Sequence, residues 1–449
     1  MTKDLTTGSP HRVLTLFTVP MLISVLFQQF YNMADNIIAG QFISDAALDA
    51  VSISYPITNI YLAVALGINV GISVVVSQLF GAQQMEKMKT AVSTCMIASG
   101  AVSALFTVLG VVFAPLLLTV LNTPDVLMAS TLSYLRIYTF SLPFIFLYNT
   151  ATGIFTALGD TITPLIFLIF SSLSNVGLNI LFVTGFGMDV AGLGWATFLC
   201  QGAAALASFA VLLWRLKKLK TGKYAVFSTQ ILSTTASLAI PGVLQKSFVS
   251  VGNVLIQSVI NSFSATVPGI IGGFSSATKL LYLFVNLNAA VDSSVASFTA
   301  QNIGAKKFDR VKEGAKAGYL LCLTFCIPAT LFFLISPQTA MGIFVPTEST
   351  DIIAAGASYL RTVSPFLALV AIKQVCDGVL HGAGAAKMFA TTTFIDLIVR
   401  VALAYILPIW IGHLGIWWAW PIGWVIGMLV SVYFYRRGKW KNIHLFDNI

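Results

Sequence analysis

Asp35 stands in FQQFYNMADNIIAGQF (residues 27–42), within the first long apolar run of the chain and too far from its ends to snorkel easily to water. A charged side chain near mid-bilayer costs about 2.5–3.5 kcal/mol on insertion scales, so membrane acids usually face a cavity or an ion path. Asp35 is therefore a candidate for cation or proton exchange; the plainer reading is an acid paired with a basic neighbour for packing. Gln28, Tyr31 and Asn32 lie near it on the same run and are candidates for substrate contact, Tyr31 one helical turn away. A second set of charges, Lys246, Lys279, Asp292, Lys373, Asp377, Asp396 and Arg400, interrupts apolar runs of the C-terminal half. Lys373 with Asp377, and Asp396 with Arg400, are i,i+4 pairs, the spacing at which opposite charges meet on one helix face. Neutralisation within the helix is the expectation for Asp396 and Arg400. Asp292 has no partner at such spacing and is the best C-terminal candidate for a proton or substrate contact.

Other chemistries lack their residues. His11 and His444 are on the tails, His413 is in a turn and His381 is near the end of a span, which makes no metal or general-base constellation. The five cysteines, Cys95, Cys200, Cys322, Cys326 and Cys376, fall in apolar spans and read as small core residues, with no transition-metal spacing among them. No HExxH, Walker or nucleophile-elbow pattern occurs, which argues against an integral membrane enzyme and against ATP-driven transport by this chain alone. No filter-like carbonyl loop suggests a channel. No cofactor is expected.

Helices must position these groups. The 449 residues are 57% hydrophobic and 9% charged, far below the roughly 25% charge of soluble domains, so the chain reads as a polytopic membrane protein. Mean hydropathy is +0.88. The net charge of +9 lies in short loops rather than on a soluble face, and nucleic acid is rejected as a partner. A crossing takes about 20 apolar residues. Twelve spans result: 13–38, 46–80, 90–119, 131–158, 162–184, 191–213, 233–262, 267–301, 314–337, 352–381, 388–409 and 414–435. Pro20, Pro56, Pro143, Pro241, Pro268 and Pro365 are kink candidates. The polar MTKDLTTGSPHR runs into a segment longer than a signal-peptide core, so no cleaved leader is expected. Lys and Arg concentrate in the even-numbered turns, the 214–230 linker and the C-terminal tail, which predicts a plasma-membrane protein with both termini cytoplasmic.

The chain repeats itself. QLFGAQQMEKMK (78–89) returns as QNIGAKKFDRVK (301–312), 223 residues on. SYLR recurs at 133–136 and 358–361, and Gly153 and Gly159 match Gly378 and Gly384, all 225 apart. Pro20 and Asn32 match Pro241 and Asn253, while Ile256 stands where Asp35 does. Six spans return each half to its starting side. The expected fold is thus an all-α integral membrane protein of two parallel six-helix bundles, 1–222 and 223–449, related by a pseudo-two-fold axis along the membrane normal.

With its twelve spans in two parallel halves, NMADNIIAG in the first span, and the paired QxxGA loops, the chain resembles the multidrug and toxic compound extrusion (MATE) transporters over residues 10–438. The resemblance implies export of amphipathic, often cationic organic compounds by alternating access, in exchange for Na+ or H+. It implies a first-half cation site of Asp35, Asn175 and Asn179 in NVGLN, and Thr197 in GLGWAT. Some members of the family carry an aspartate where Asn179 stands, so here Asp35 is the only carboxylate of the four. One carboxylate, two amide carbonyls and a hydroxyl are oxygen ligands suited to a hard cation. Without the resemblance, Asn175 and Asn179 read equally well as helix–helix hydrogen-bond glue. One branch of the family carries acids in the seventh and tenth spans; this chain offers Gln245, Lys246 and Gln257 in the seventh, and Lys373, Gln374 and Asp377 in the tenth. Gln257, Asp292, Lys373 and Asp377 are accordingly second-half candidates. Small organic molecules and the bilayer are the expected partners, and a monomer the expected state. A lipid-linked oligosaccharide flippase of the same superfamily is the alternative, supported by Lys246, Lys279, Lys373 and Arg400.

Overall fold

The computed structural model describes residues 4–42, 45–219, 221–443 and 445–446, with the side chains of residues 31–48 outside the description. Every regular element among the described residues is helical. They form two compact units, one built on Ile23–Val243 and the other on Leu5–Leu22 with Leu244–Leu445. Helix α1 (Pro10–Phe42) therefore begins in the second unit and continues in the first, and α8 (Thr229–Ser262) begins in the first and continues in the second.

Between them the first unit contains α2 (Asp45–Gly81), α3 (Met85–Val120), α4 (Asp125–Phe140), α5 (Leu142–Ala157), α6 (Ile162–Ile180) and α7 (Asp189–Lys218). Its core is a cluster around Ile57, Tyr61, Leu135 and Phe146. The second unit adds α9 (Ile270–Gly304), α10 (Phe308–Ile335), the short α11 (Pro337–Met341), α12 (Thr350–Val363), α13 (Leu367–Gly382), α14 (Ala386–Ile406), the short α15 (Pro408–Ile411) and α16 (Leu414–Arg437). Its core holds Phe274 stacked on Trp417 at 5.8 Å, with Tyr359 edge-on to Trp417 at 5.0 Å.

Eleven described helical stretches are long and apolar enough to cross a membrane, and α4 with α5, bent by 43°, makes a twelfth. These are the twelve expected spans. The bend follows from Pro143 in the first turn of α5, whose missing N–H cannot continue the α4 ladder. Pro20, Pro56 and Pro241 lie inside helices as expected. Pro365 falls in the 3-10 turn between α12 and α13. Pro268 is instead in the turn before α9. Large apolar side chains such as Val112, Phe170 and Ile409 point outward, as a lipid-facing surface requires.

The repeat is visible in the backbone. After α2, Gln83 takes φ 58° and Gln84 N–H bonds to Leu79 O; after α9, Lys306 takes φ 58° and Lys307 N–H bonds to Asn302 O. This left-handed helix terminus normally selects glycine. Beside each loop a non-helical strap of chain is held. In the second unit, Leu5 N–H donates to Gln301 Oε1 (2.9 Å), Lys307 Nζ to Thr6 O (2.9 Å) and Arg310 to the carbonyls of Leu5, Thr7 and Gly8. In the first, Gly222 N–H donates to Glu86 Oε1, Lys89 Nζ to Leu219 O (2.6 Å) and Ser93 Oγ to Val226 O (2.6 Å).

Candidate functional site

Within the first unit, α6 is anchored before its polar residues appear. Asp160 accepts from the N–H groups of Ile162 and Thr163 and from the Thr163 hydroxyl, capping the helix, and pairs with Arg215 near the end of α7. Burial would push its pKa up, but the Thr163 donors and the Arg215 guanidinium outweigh burial and hold the carboxyl below its usual range. The capping fixes α6 against α7. Along α6, Ser171, Asn175 and Asn179 follow at four-residue intervals and so share a face. Asn175 and Asn179 are both buried, and Asn179 Nδ2 donates to Asn175 Oδ1 at 2.9 Å. A π-helical turn, Leu181–Gly185, follows directly, a distortion found mostly at functional places in helices.

A cavity of about 60 Å³ opens at this face, enough for a few water molecules. Gln28 of α1, Tyr148 of α5, Ser171, Ser172 and Asn175 of α6, and Thr197 and Gln201 of α7, all bearing side-chain oxygens, line it together with Leu168 and Cys200. Thr197 donates its hydroxyl hydrogen to Leu193 O at 3.0 Å, so that its oxygen can act only as an acceptor for a further partner. Three sequence candidates, Gln28, Asn175 and Thr197, thus meet in one place, and Asn179 adjoins it through Asn175. Asp35, Tyr31 and Asn32 have helical backbone, but their side chains lie outside the described residues. Ser171, Ser172, Tyr148 and Gln201 were missed. Their signal was present as four-residue spacing, Ser171 to Asn175 and Thr197 to Gln201, within otherwise apolar spans.

In the second unit, Lys373 Nζ donates to Asp377 Oδ2 at 2.7 Å, as the spacing predicts. Asp377 Oδ1 accepts from Thr392 Oγ1 (2.9 Å) and Ser431 Oγ (2.7 Å), partners not anticipated from sequence. The expected Asp396–Arg400 pair does not form: Asp396 Oδ1 and Arg400 Nε are both buried without a hydrogen-bond partner. Arg400 lies over the Trp420 ring at 4.3 Å instead, because the indole face offers the guanidinium a better-placed partner. Asp292 approaches Gly378 so closely that a Cβ there would stand 2.7 Å from its Oδ1. Gln257 donates to Asn261 one turn along α8, apart from this cluster.

Comparison with known proteins follows the same division of the chain. The MatE family profile matches residues 20–181 and again 241–406. The probable multidrug resistance protein YpnP of Bacillus subtilis is 26% identical over 445 residues, covering 99% of this chain and 98% of its own. A FAD transporter of Shewanella oneidensis is 23% identical over 319 residues, 70% of each chain. An outward-facing multidrug resistance MATE transporter of the MOP superfamily superposes with a TM-score of 0.88 at 21% identity, covering 97% of both chains. That likeness shows the fold.

Proposed function

We propose that this chain, which belongs to the MatE family of multidrug efflux transporters, exports amphipathic, often cationic organic compounds in exchange for inward-moving Na+ or H+. The chain is a multi-pass membrane protein. The observation that carries the reading is the first-unit cavity, where Gln28, Asn175 and Thr197 from three helices converge with further oxygens. Asp35 lies seven residues beyond Gln28 in α1, about two turns along the helix. The carboxylate supplies charge, and the amides and hydroxyls supply neutral oxygens, the donor set that a hard cation or a shuttled proton uses. Substrate enters from the cytoplasm or the inner leaflet, and cation binding at Asp35 shifts α1 to favour its release outside. The protein works as a monomer in the plasma membrane, with no cofactor beyond the coupling ion. A flippase acting on lipid-linked pyrophosphates needs free basic groups; Lys373 is bound to Asp377 and Arg400 is seated on Trp420, which disfavours it.

Drug efflux from cells, with Na+ and pH varied independently, tests the reading. Asp35→Asn is expected to cut efflux at least tenfold, roughly 1.4 kcal/mol or more in coupling, at normal expression. Wild-type efflux from that variant would remove Asp35 from the mechanism.

A further inference from the structure

Three residues of the first-unit cavity have charged counterparts 225 positions later. Tyr148 matches Lys373, Ser171 matches Asp396 and Asn175 matches Arg400. The register is set by the backbone as well as by sequence. Helices α4 and α12 begin at Asp125 and Thr350, α5 and α13 begin at Leu142 and Leu367, and Gly159 and Gly384 both take φ +78°, always at that spacing. Where the first unit lines a cavity with neutral oxygens, the second unit places an ammonium, a carboxylate and a guanidinium.

The ammonium is the centre of this arrangement. Lys373 is buried and has three N–H donors, one of which binds Asp377. Asp377 is saturated on its other oxygen by Thr392 and Ser431. Two further carboxylates, Asp396 of α14 and Asp292 of α9, stand near Lys373: a Cβ at Gly427 would lie 2.9 Å from both Asp396 Cβ and Lys373 Cε, and one at Gly378, beside Asp377, would lie 2.7 Å from Asp292 Oδ1. Each has a buried Oδ1 with no hydrogen-bond partner, and Asp396 is only 7% exposed. Arg400 does not neutralise Asp396, being held over Trp420 with its Nε unpartnered. The remaining cation near Asp292 is Lys246 of α8. Lys373 is thus ion-paired with Asp377, while Asp292 and Asp396, from two other helices, stand farther off with carboxylate oxygens still unpartnered.

We propose that Lys373 supplies, from within the chain, the cation that the corresponding place in the first unit takes from solution, so that mobile coupling ions pass through the first unit alone. The proposal rests on the reading of the first-unit cavity as an ion site, and its test separates the two. An ammonium held by its own backbone cannot leave, so the second unit carries a fixed charge where a mobile ion would otherwise be exchanged. Removing that charge should uncover a site for Na+ among Asp292, Asp377 and Asp396.

Radiolabelled Na+ binding to the purified full-length protein in nanodiscs, above the carboxylate pH range, is the experiment. Wild type is expected to bind no more than one Na+ per chain; two would overturn the proposal. In an Asp35→Asn background, Lys373→Met is expected to gain Na+ binding at least tenfold above background, while Lys373→Arg gains none. A folded, monodisperse Asp35→Asn/Lys373→Met protein without that gain would overturn it. Should this variant fail to fold, Asp35→Asn/Lys373→Met/Asp377→Asn relieves one unpaired acid and still exposes Asp292 and Asp396. It is expected to bind Na+ more weakly but measurably, and no binding counts against the proposal. If wild type binds Na+, an undiminished level in Asp35→Asn alone would instead refute the first-unit assignment, leaving the difference made by Lys373→Met as the readout for the second.

Discussion

Asp160 shows how a single carboxylate sets the place of a site that it does not line. It closes the N-terminus of α6 and ties Arg215 of α7 to that end, and the cavity forms between these two helices farther along. Removing the charge leaves the mostly buried guanidinium uncompensated, a loss of about 2 kcal/mol by comparison with other broken buried pairs. A carboxyl held below its ordinary pKa contributes stability that is complete above the unfolded value near 3.8 and fades as pH falls through the depressed folded value. Asp160→Asn should therefore melt about 2 °C below wild type at neutral pH, with the gap closing only below about pH 3.8. Melting curves in detergent across pH check this; a gap that closes between pH 7 and pH 5 would assign the stabilisation elsewhere. Other residues differ in how far sequence reveals them. Asn175 and Thr197 are polar groups in apolar spans and stand out. Arg400 could not be placed from sequence, because its i,i+4 acid competes with an aromatic face 20 residues away in the chain, and only tertiary structure decides between them.

The helices themselves were legible because apolar length and proline position are local properties. The bend at Pro143 and the pairing of the QxxGA loops followed directly; the left-handed residue that both loops share, Gln83 and Lys306, emerged only in the structure. What these loops do was not legible. Their side chains reach segments hundreds of residues away, and Arg310 alone bonds three carbonyls of the Leu5–Gly8 strap. Such charge-assisted bonds contribute roughly 1.5 kcal/mol each, less where water reaches them. Arg310→Ala should raise amide hydrogen exchange in residues 5–8 about tenfold, equivalent to about 1.4 kcal/mol. Exchange there at the wild-type rate would show that Gln301 and Lys307 suffice to hold the strap.

At the scale of the whole molecule, charge in the loops and duplication of the spans make one prediction about topology. Lys87 and Lys89, the Lys306–Lys316 cluster and Arg436–Lys441 should all lie on the cytoplasmic side, together with both termini. Fluorescent-protein fusions at either end should fluoresce, and alkaline phosphatase placed in the 121–124 or 346–349 turns should be active; the reverse pattern would invert the orientation. The duplication also shapes the two helices that belong to both compact units. Helix α1 passes from one unit to the other between Leu22 and Ile23, and α8 does so between Val243 and Leu244. Pro20 and Pro241 each stand two residues before that crossing. Each proline deletes a rung of the hydrogen-bond ladder and wedges the turn preceding it. The two connectors are thus least stiff in flexure within a turn of the residue where each leaves one unit for the other, so the work of bending either one falls on a single turn instead of being spread along some thirty residues of rod.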